Sequence, residues 1–214
     1  MCGIAGIIGS GDWTEAVESM TETLRHRGPD GGGIWGVPGV ALGHRRLAIV
    51  DLSPAGHQPM HYGRYTIVYN GEVYNFRQLR RELAGPFHSD SDTEVILRLY
   101  ATHGPACVDK LAGMFAFAIW DAAKRELFVA RDRLGIKPFY YLRRPGLFAF
   151  ASEIKALRGL SSRRIDRTAL WDYFSYKYVP CPKSIYEDIR QLPPAHAMVV
   201  SGDSIRSWRY WSPG

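Results

Sequence analysis

The sequence predicts an α+β domain in which antiparallel sheets are covered by helices. Short strands occur in runs separated by blocks of helix, whereas a parallel α/β sheet would alternate single strands with single helices. The last run of strands contains a hairpin signal at Gly202-Asp203. No internal repeat or low-complexity linker divides the 214 residues, so we expect one domain over residues 1–214.

Apolar periodicity and turn residues define the elements of the first half. Residues 4–8 are an apolar strand, and residues 13–24 have the spacing of a helix with one apolar face. A glycine-rich loop at 27–33 precedes short strands near 34–35, 40–44, 47–50 and 65–69. Helices are predicted at 76–83 and 93–103, where Asn75 with Gln78 and Ser91 with Glu94 have the spacing of capping boxes.

The second half is predicted to be mainly strand. Residues 114–121 pair with 127–131, and residues 139–142 pair with 147–151. A helix at 169–178 separates these pairs from the last hairpin, which joins 197–200 to 204–211. The chain therefore alternates blocks of strand and helix, as the fold class requires.

The net charge of +6 lies in the second half of the chain. Residues 1–100 carry two more acidic than basic side chains, and residues 101–214 carry eight more basic than acidic ones. The basic residues are scattered rather than gathered into a stripe, so no nucleic-acid binding is predicted. We expect neither a membrane span nor a signal peptide. Three widely spaced cysteines favour a reducing, cytoplasmic location.

Cys2 is the strongest candidate for a catalytic group. Methionine aminopeptidases remove Met1 when a small residue follows, so we expect the mature chain to begin with Cys2. Its free α-amine, with a pKa of about 7.7–8.0, can then accept the proton of its own thiol. The alternative is that Cys2 is only a small buried hydrophobe in the first strand.

Asn70 and Gly71 are predicted to supply two donors to an oxyanion hole. An Asn-Gly pair is also a common hairpin turn, but a helix rather than a second long strand follows it here. A strand–turn–helix arrangement would place the Asn70 side chain and the Gly71 N–H at the exposed end of a strand. Two adjacent neutral donors suit a developing oxyanion.

Two charged residues are candidates for holding an amino acid. Asp92 lies in the predicted first turn of a helix, where the helix dipole stabilises a carboxylate that can bind an ammonium group. Arg46 lies between two strands, as a solvated surface charge or as a bidentate partner for a carboxylate. Phosphate loops, dinucleotide-binding motifs, nucleophile elbows and metal-ligand spacings are absent. These groups together suit acyl transfer on an amino-acid side chain.

Six ordered motifs resemble those of one family. They are residues 2–6 (Cys-Gly-Ile-Ala-Gly), 27–31 (Arg-Gly-Pro-Asp-Gly), 46–51 (Arg-Leu-Ala-Ile-Val-Asp), 69–75 (Tyr-Asn-Gly-Glu-Val-Tyr-Asn), 91–94 (Ser-Asp-Thr-Glu) and 131–138 (Arg-Asp-Arg-Leu-Gly-Ile-Lys-Pro). Over nearly its whole length the chain resembles the N-terminal glutaminase domain of glutamine-hydrolysing asparagine synthetase, a class II glutamine amidotransferase. The resemblance implies the N-terminal-nucleophile hydrolase fold, a four-layer αββα sandwich with two antiparallel sheets between helical layers.

The resemblance also implies a role for each matching residue. Cys2 would attack the side-chain amide of L-glutamine, with Asn70 and Gly71 as the oxyanion donors. Arg46 would hold the substrate carboxylate and Asp92 its α-amino group. Arg27 would support the site, and the pocket would be lined by Leu47, Ala48, Ile49, Val50 and Glu72.

The family's second reaction is expected outside this chain. The family enzyme continues into a synthetase domain that uses ATP and Mg, so we expect no cofactor here and a synthetase domain in the same or another chain as partner. The basic second half, including Arg131, Arg133 and Lys137, is expected to supply much of the docking face. A homodimer, a different nitrogen acceptor, and a non-catalytic module that binds an amino acid or supports a partner remain alternatives.

Overall fold

Two six-stranded antiparallel sheets lie face to face at the centre of the structure, a computed structural model that describes residues 1–214. With strands numbered along the chain, the first sheet contains β1 (Gly3–Gly9), β2 (Gly31–Val37), β3 (Val40–Arg46), β8 (Tyr140–Arg144), β9 (Leu147–Ala151) and β10 (Ile189–Gln191). Its strand order is β10-β8-β9-β1-β3-β2. The strand that follows Cys2 is therefore central, between β9 and β3.

The second sheet supplies the opposite wall of the core. It contains β4 (Met60–Tyr62), β5 (Tyr65–Val73), β6 (Gly113–Asp121), β7 (Glu126–Arg131), β11 (His196–Ser201) and β12 (Ser204–Arg209). The strand order is β12-β11-β7-β6-β5-β4, so β5, with Asn70 and Gly71, is next to one edge. Because β4 pairs only with residues 65–67, the later part of β5 has a free edge.

Helices cover the outer faces of both sheets. On the first sheet lie α1 (Thr14–Glu22) and α5 (Ile154–Leu157), and on the second lie α2 (Phe76–Glu82), α3 (Asp92–His103) and α4 (Cys107–Lys110). A sixth helix, α6 (Arg167–Tyr176), packs weakly on the rest. The predicted αββα sandwich is confirmed. No helix has both the length and the apolar character needed to cross a bilayer.

Strand alternation decides which side chains reach the space between the sheets. In β1, Ile4 and Ile8 pack against the second sheet, while Ile7 packs under the helices. In β5, Val68 faces the first sheet and Ile67 faces the helices. Since side chains repeat with period two, Cys2 and Asn70 extend toward the same inter-sheet space from opposite walls.

Several local predictions were wrong. Residues 47–50 form no strand, and β4 and β10 were not predicted. Asn75 precedes α2 but does not cap it, because its side chain bonds to Lys110 O and the Ala112 N–H. Ser91 caps α3 as expected, but the Glu94 carboxylate accepts from His88 and Ser89 instead of closing a capping box. At Asn75 and Glu94 the side chain bonds to groups outside its own helix in place of the predicted cap.

Candidate active site

A cavity of about 90 Å³ opens beside Cys2, where β1 begins and β3 ends. It brings together all the predicted site residues except Arg27: Cys2, Arg46, Leu47, Ala48, Ile49, Val50, Asn70, Gly71, Glu72 and Asp92. A larger open groove of about 690 Å³ lies at the far end of β1, near Gly9 and Gly146, and contains none of them. Predicted residues from four separate stretches of chain thus converge on the smaller cavity, and Arg27 alone lies outside it.

The Cys2 thiol is half-buried in this cavity and lies against the loop after β3. Its Sγ is 3.4 Å from the backbone nitrogen and 3.6 Å from the carbonyl oxygen of Leu47. Burial raises the pKa of the Cys2 thiol above its ordinary value. The neutral thiol is therefore the favoured resting form, and attack on a substrate requires a base.

Arg27 lies outside the cavity and holds the backbone of Cys2. Its Nε donates to the Cys2 carbonyl at 2.9 Å, and its Nη1 lies 2.9 Å from Glu153 Oε1. Burial disfavours the Glu153 carboxylate, but hydrogen bonds from Arg27 and His26 outweigh it and lower the pKa of Glu153. This ion pair anchors the residue that carries the thiol, and the sequence carried no signal for Glu153.

Asn70 and Gly71 lie inside β5, not in a turn, which corrects the predicted strand–turn–helix arrangement. They pair with Ala116 and Phe115 of β6, and the strand continues to Val73. A Cβ on Gly71 would lie 2.3 Å from the carbonyl oxygen of Met114, so only glycine fits there. Both donors are thus held by a β-ladder, which is more rigid than a turn.

The ladder leaves the Gly71 N–H without a partner in β6. Phe115, opposite Gly71, directs its own N–H and C=O to Asp132, at 3.2 and 2.8 Å. The Gly71 amide therefore points to the other edge of β5, as do its neighbours of the same parity. There the Tyr69 N–H bonds to Gln58 and the Val73 N–H to Asp92, while Gly71 between them faces the cavity.

Asn70 Nδ2 is buried and has no hydrogen-bond partner. Leaving a buried donor unpaired costs about 1–3 kcal/mol, and such atoms are rare in native proteins. The side chain lines the same cavity as the Cys2 thiol. An unused donor amide beside a nucleophile is the arrangement that an oxyanion would complete.

The loop after β3 forms one wall and is held by the Arg-Gly-Pro-Asp segment. Asp30 donates its N–H to Arg46 O at 3.0 Å and accepts the Ala48 N–H at 2.9 Å. The Arg46 guanidinium is buried and donates to the carbonyl oxygens of Ser53, at 3.0 Å, and Asp51. Arg46 is therefore not the solvated surface charge that the sequence left open.

Asp92 is buried in the first turn of α3, as predicted. Its Oδ2 accepts from the Tyr69 hydroxyl at 2.6 Å and from the Val73 N–H at 2.9 Å. Burial raises the pKa of Asp92, although these hydrogen bonds act in the opposite direction. Both bonds go to one oxygen, so Oδ1 remains available to a ligand in the cavity.

The cavity residues that were not predicted include three that shape the site, Gln58, Tyr69 and Lys137. Tyr69 holds Asp92, and Gln58 joins the Tyr69 N–H to the Thr93 hydroxyl at 2.6 and 3.2 Å. Lys137 is buried at the cavity wall, where burial lowers its pKa. Tyr69 and Lys137 belong to motifs that the sequence analysis singled out, whereas Gln58 gave no signal.

Two of the three basic side chains expected in a docking face, Arg131 and Lys137, are buried, so they cannot contact a partner domain; docking through the second half as a whole stays a prediction. Arg131 is buried and donates to three carbonyl oxygens, those of Gly135, Lys137 and Leu192, at 2.5–2.7 Å. Lys137 points into the cavity wall, and Arg133 stacks over the Trp211 ring at 5.7 Å. The motif closes a loop beside the site.

No histidine lines the cavity. His44, one strand away, is fully buried, and burial lowers its pKa to about 3. Its Nε2–H donates to Tyr69 O at 3.1 Å. A base for the Cys2 thiol must therefore come from another group.

A cysteine at the start of a central strand, between two antiparallel sheets with helices outside, defines an N-terminal-nucleophile hydrolase fold. Residues 1–211 match the family described as a glutamine amidotransferase domain, and the chain belongs to that family. The structure superposes on the glutamine phosphoribosylpyrophosphate amidotransferase from Bacillus subtilis with a TM-score of 0.76 at 22% identity. That match covers 99% of this chain and 50% of the other, and it shows the fold.

Curated relatives are named as asparagine synthetases. Asparagine synthetase [glutamine-hydrolyzing] 3 of Bacillus subtilis is 43% identical over 226 residues, which cover 99% of this chain and 37% of the relative. Putative asparagine synthetase [glutamine-hydrolyzing] 2 of Methanocaldococcus jannaschii is 38% identical over 99% of this chain and 46% of the relative. The chain thus spans less than half the length of these two relatives.

Proposed function

We propose that this domain hydrolyses L-glutamine to glutamate and ammonia through a γ-glutamyl thioester on Cys2. The observation that carries the proposal is the unpaired Asn70 amide, buried in the same cavity as the thiol. The family match and the relatives named as glutamine-hydrolysing enzymes support glutamine as the substrate. The reaction requires removal of Met1, because the α-amine of Cys2 is otherwise held in a peptide bond.

The first step is attack of Cys2 on the side-chain amide carbon. The free α-amine takes the thiol proton, and Sγ forms a bond to the amide carbon as the C=O π electrons move to oxygen. The raised pKa of the thiol and the absence of a histidine from the cavity both favour this internal base. The resulting oxyanion accepts from Asn70 Nδ2 and the Gly71 N–H.

The tetrahedral intermediate then collapses to the thioester, and hydrolysis of the thioester regenerates the enzyme. The oxyanion re-forms its carbonyl, the C–N bond breaks, and the α-ammonium of Cys2 gives its proton to the departing nitrogen, which leaves as ammonia. The α-amine then removes a proton from water, whose oxygen attacks the thioester. Breakage of the C–S bond and return of that proton to sulfur release glutamate and the free thiol.

The non-reacting end of glutamine is held by opposite charges. The Arg46 guanidinium is held by backbone carbonyls in the cavity wall and binds the α-carboxylate, while Asp92 Oδ1 binds the α-ammonium. The loop residues Leu47, Ala48, Ile49 and Val50, together with Glu72, enclose the substrate. These groups select an α-amino acid and leave its amide facing Cys2.

We further propose that the ammonia is used by a synthetase domain, in the same or another chain. Ammonia released to water is protonated at neutral pH and loses its nucleophilicity, so a protected acceptor is needed. The names of the relatives favour asparagine as the product, and we propose that it is made from aspartate with ATP, in the cytoplasm. ATP and Mg belong to that acceptor reaction, whereas the steps above use only protein groups and water.

Glutaminase assays on the 214-residue chain test the proposal. Intact mass should show loss of Met1, and glutamate should form without ATP. Cys2→Ala should abolish this activity, and Cys181→Ala, a change at an exposed thiol, should preserve it. Full activity in Cys2→Ala would disprove the thioester. Glutamine binding without turnover in a protein shown to begin with Cys2 would instead make the domain a binding module.

A further inference from the structure

Helix α6 exposes aromatic side chains that its own domain does not cover. Of its ten residues only Ala169 is buried. Trp171 is 75% exposed and Phe174 65%, and Tyr178, just beyond the helix, is 62% exposed. Single exposed apolar residues are ordinary, but a contiguous group of this kind marks an interaction site.

The spacing places these side chains together. Trp171 and Phe174 are three residues apart, and Leu170 and Phe174 are four apart, so all three share one side of the helix. A helix of ten residues is marginal in water, and packing of an apolar face normally stabilises it. The face that would stabilise α6 is turned to solvent.

We propose that Leu170, Trp171 and Phe174, here called the aromatic face, dock the acceptor domain that uses the ammonia. The acceptor surface that fits is apolar, with acidic side chains at its rim. This inference rests on the proposed function, and it adds which surface of this domain contacts the acceptor domain. The two relatives described above have more than half of their length outside the matched region, which is room for such a domain.

Charge around the aromatic face distinguishes this partner from a second copy of the chain. Residues 158–183 contain six basic and two acidic side chains. One of the acids, Asp172, is already paired with Lys183 at 2.6 Å, whereas Arg167 and Lys177 have no acidic partner. A two-fold dimer would set like charges against each other, while an acidic rim would neutralise them.

Hydrogen bonds connect the region after α6 to the wall of the active site. Lys183, which pairs with α6, also accepts from Gln191 Nε2 at 2.8 Å. The next residue, Leu192, accepts from Arg131, which also bonds to the carbonyl of Lys137 in the cavity wall. The loop that closes the glutaminase cavity is therefore connected, through these bonds, to the helix that carries the aromatic face.

Hydrogen exchange tests the proposal in two proteins. One is the 214-residue chain, and the other is a chimera in which it replaces the matching part of the Bacillus subtilis asparagine synthetase. Amides of residues 167–176 should exchange about tenfold more slowly in the chimera. Trp171→Ser/Phe174→Ser should remove that protection, and Val37→Ser, on β2 at the opposite edge of the first sheet, should not. Equal exchange rates in both proteins would overturn the proposal.

The Tm and glutaminase rate of the isolated 214-residue chain give a test that does not depend on the chimera. Because the aromatic face is exposed, the double variant should keep the Tm and the glutaminase rate of the isolated chain. A large fall in Tm would show that these side chains pack within the domain, and a dimer abolished by the variant would identify a second copy as the partner. Either result overturns the proposal. Absence of glutaminase activity from the unsubstituted chain, with residues 167–176 still protected in the chimera, would instead refute only the proposed function.

Discussion

Asn70 and Asn75, five residues apart, differ in whether their side-chain amides are hydrogen-bonded. The Asn75 amide is fully used, with one bond to Lys110 O and one from the Ala112 N–H, both near 3 Å. Asn70 Nδ2 is buried with none. The Asn75 amide therefore contributes to stability, whereas the unpaired Asn70 amide lowers the stability of the free domain and, in the proposed reaction, gains a partner when the oxyanion forms.

This contrast predicts opposite outcomes for two alanine variants. Asn70→Ala should lower kcat by about 10²–10³ and leave the Tm unchanged or higher, because it removes an unpaired donor. Asn75→Ala should lower the Tm and leave kcat unchanged, because its bonds join two segments away from the thiol. Steady-state kinetics and thermal unfolding measure both. A change in KM alone for Asn70→Ala would make Asn70 a binding residue.

Ionised Asp92 also lowers the stability of the free domain, and in the proposed function it binds the substrate. Burial raises the pKa of Asp92 in the folded state above its ordinary value, so folding favours the protonated form. The ionised form therefore weakens the fold as the pH rises through that pKa. It is nevertheless the form that attracts the α-ammonium of glutamine.

Asp92→Asn should consequently raise both the Tm and the KM. The amide oxygen can still accept from the Tyr69 hydroxyl and the Val73 N–H, so the local geometry is kept while the charge is lost. The KM for glutamine should rise more than kcat falls, since the contact is to a non-reacting group. An unchanged KM in glutaminase assays would remove Asp92 from the substrate site.

At the scale of elements, the loop after β3 replaces a predicted strand. Residues 47–50 are apolar enough for a strand, but β3 already lies between β1 and β2 and ends at Arg46. The segment beyond it is held by Asp30, which bonds the backbone of Arg46 and Ala48. The Arg-Gly-Pro-Asp motif therefore acts as a clamp on residues 47–50, which line the cavity.

Asp30→Ala should loosen this loop and raise the KM for glutamine. The bond from Ala48 to the carboxylate is lost, whereas Cys2, Asn70 and Gly71 keep their positions, so kcat should change by less than the KM does. Asp12→Ala, which removes an exposed carboxylate bonded to the Thr14 N–H, is the matched control and should leave both constants unaltered. Equal kinetics in the two variants would contradict the clamp.

At the scale of the whole molecule, His44 joins the two sheets close to the site. It lies on β3 opposite Ile4 of β1, and it donates across the interface to the carbonyl of Tyr69, the residue before Asn70. The bond therefore couples the sheet that follows Cys2 to the sheet that carries Asn70 and Gly71. Burial keeps His44 neutral by lowering its pKa to about 3.

This neutral histidine predicts a pH dependence of stability. Between its ordinary value of 6.5 and about 3, the unfolded chain binds a proton that the folded domain does not. The free energy of unfolding should therefore fall as the pH drops below 6.5, by up to about 1.4 kcal/mol per pH unit. His44→Gln keeps a donor but cannot titrate, so its urea-unfolding free energy should fall less steeply. Parallel curves for the two proteins would refute the assignment.

Local sequence was sufficient for much of the architecture. Short apolar runs located β1, β5, β6 and β7, because strands buried on both faces are almost continuously apolar, and helical periodicity located α1 and α3. The motifs also identified Cys2, Arg46, Asn70 and Asp92, and the structure brings these four into one cavity. Residues whose chemistry is evident from their type and neighbours could be found this way.

The tertiary structure alone decided which polar groups are paired and which are free. Asn70 and Asn75 are indistinguishable as residues, and Lys137 looked like a surface cation until the loop closed by Arg131 turned it inward. No local sequence pattern indicated that Gln58 would hold Tyr69 or that Glu153 would pair with Arg27. The physical reason is that hydrogen-bond satisfaction and burial depend on partners distant in the chain, which no pattern of neighbouring residues specifies.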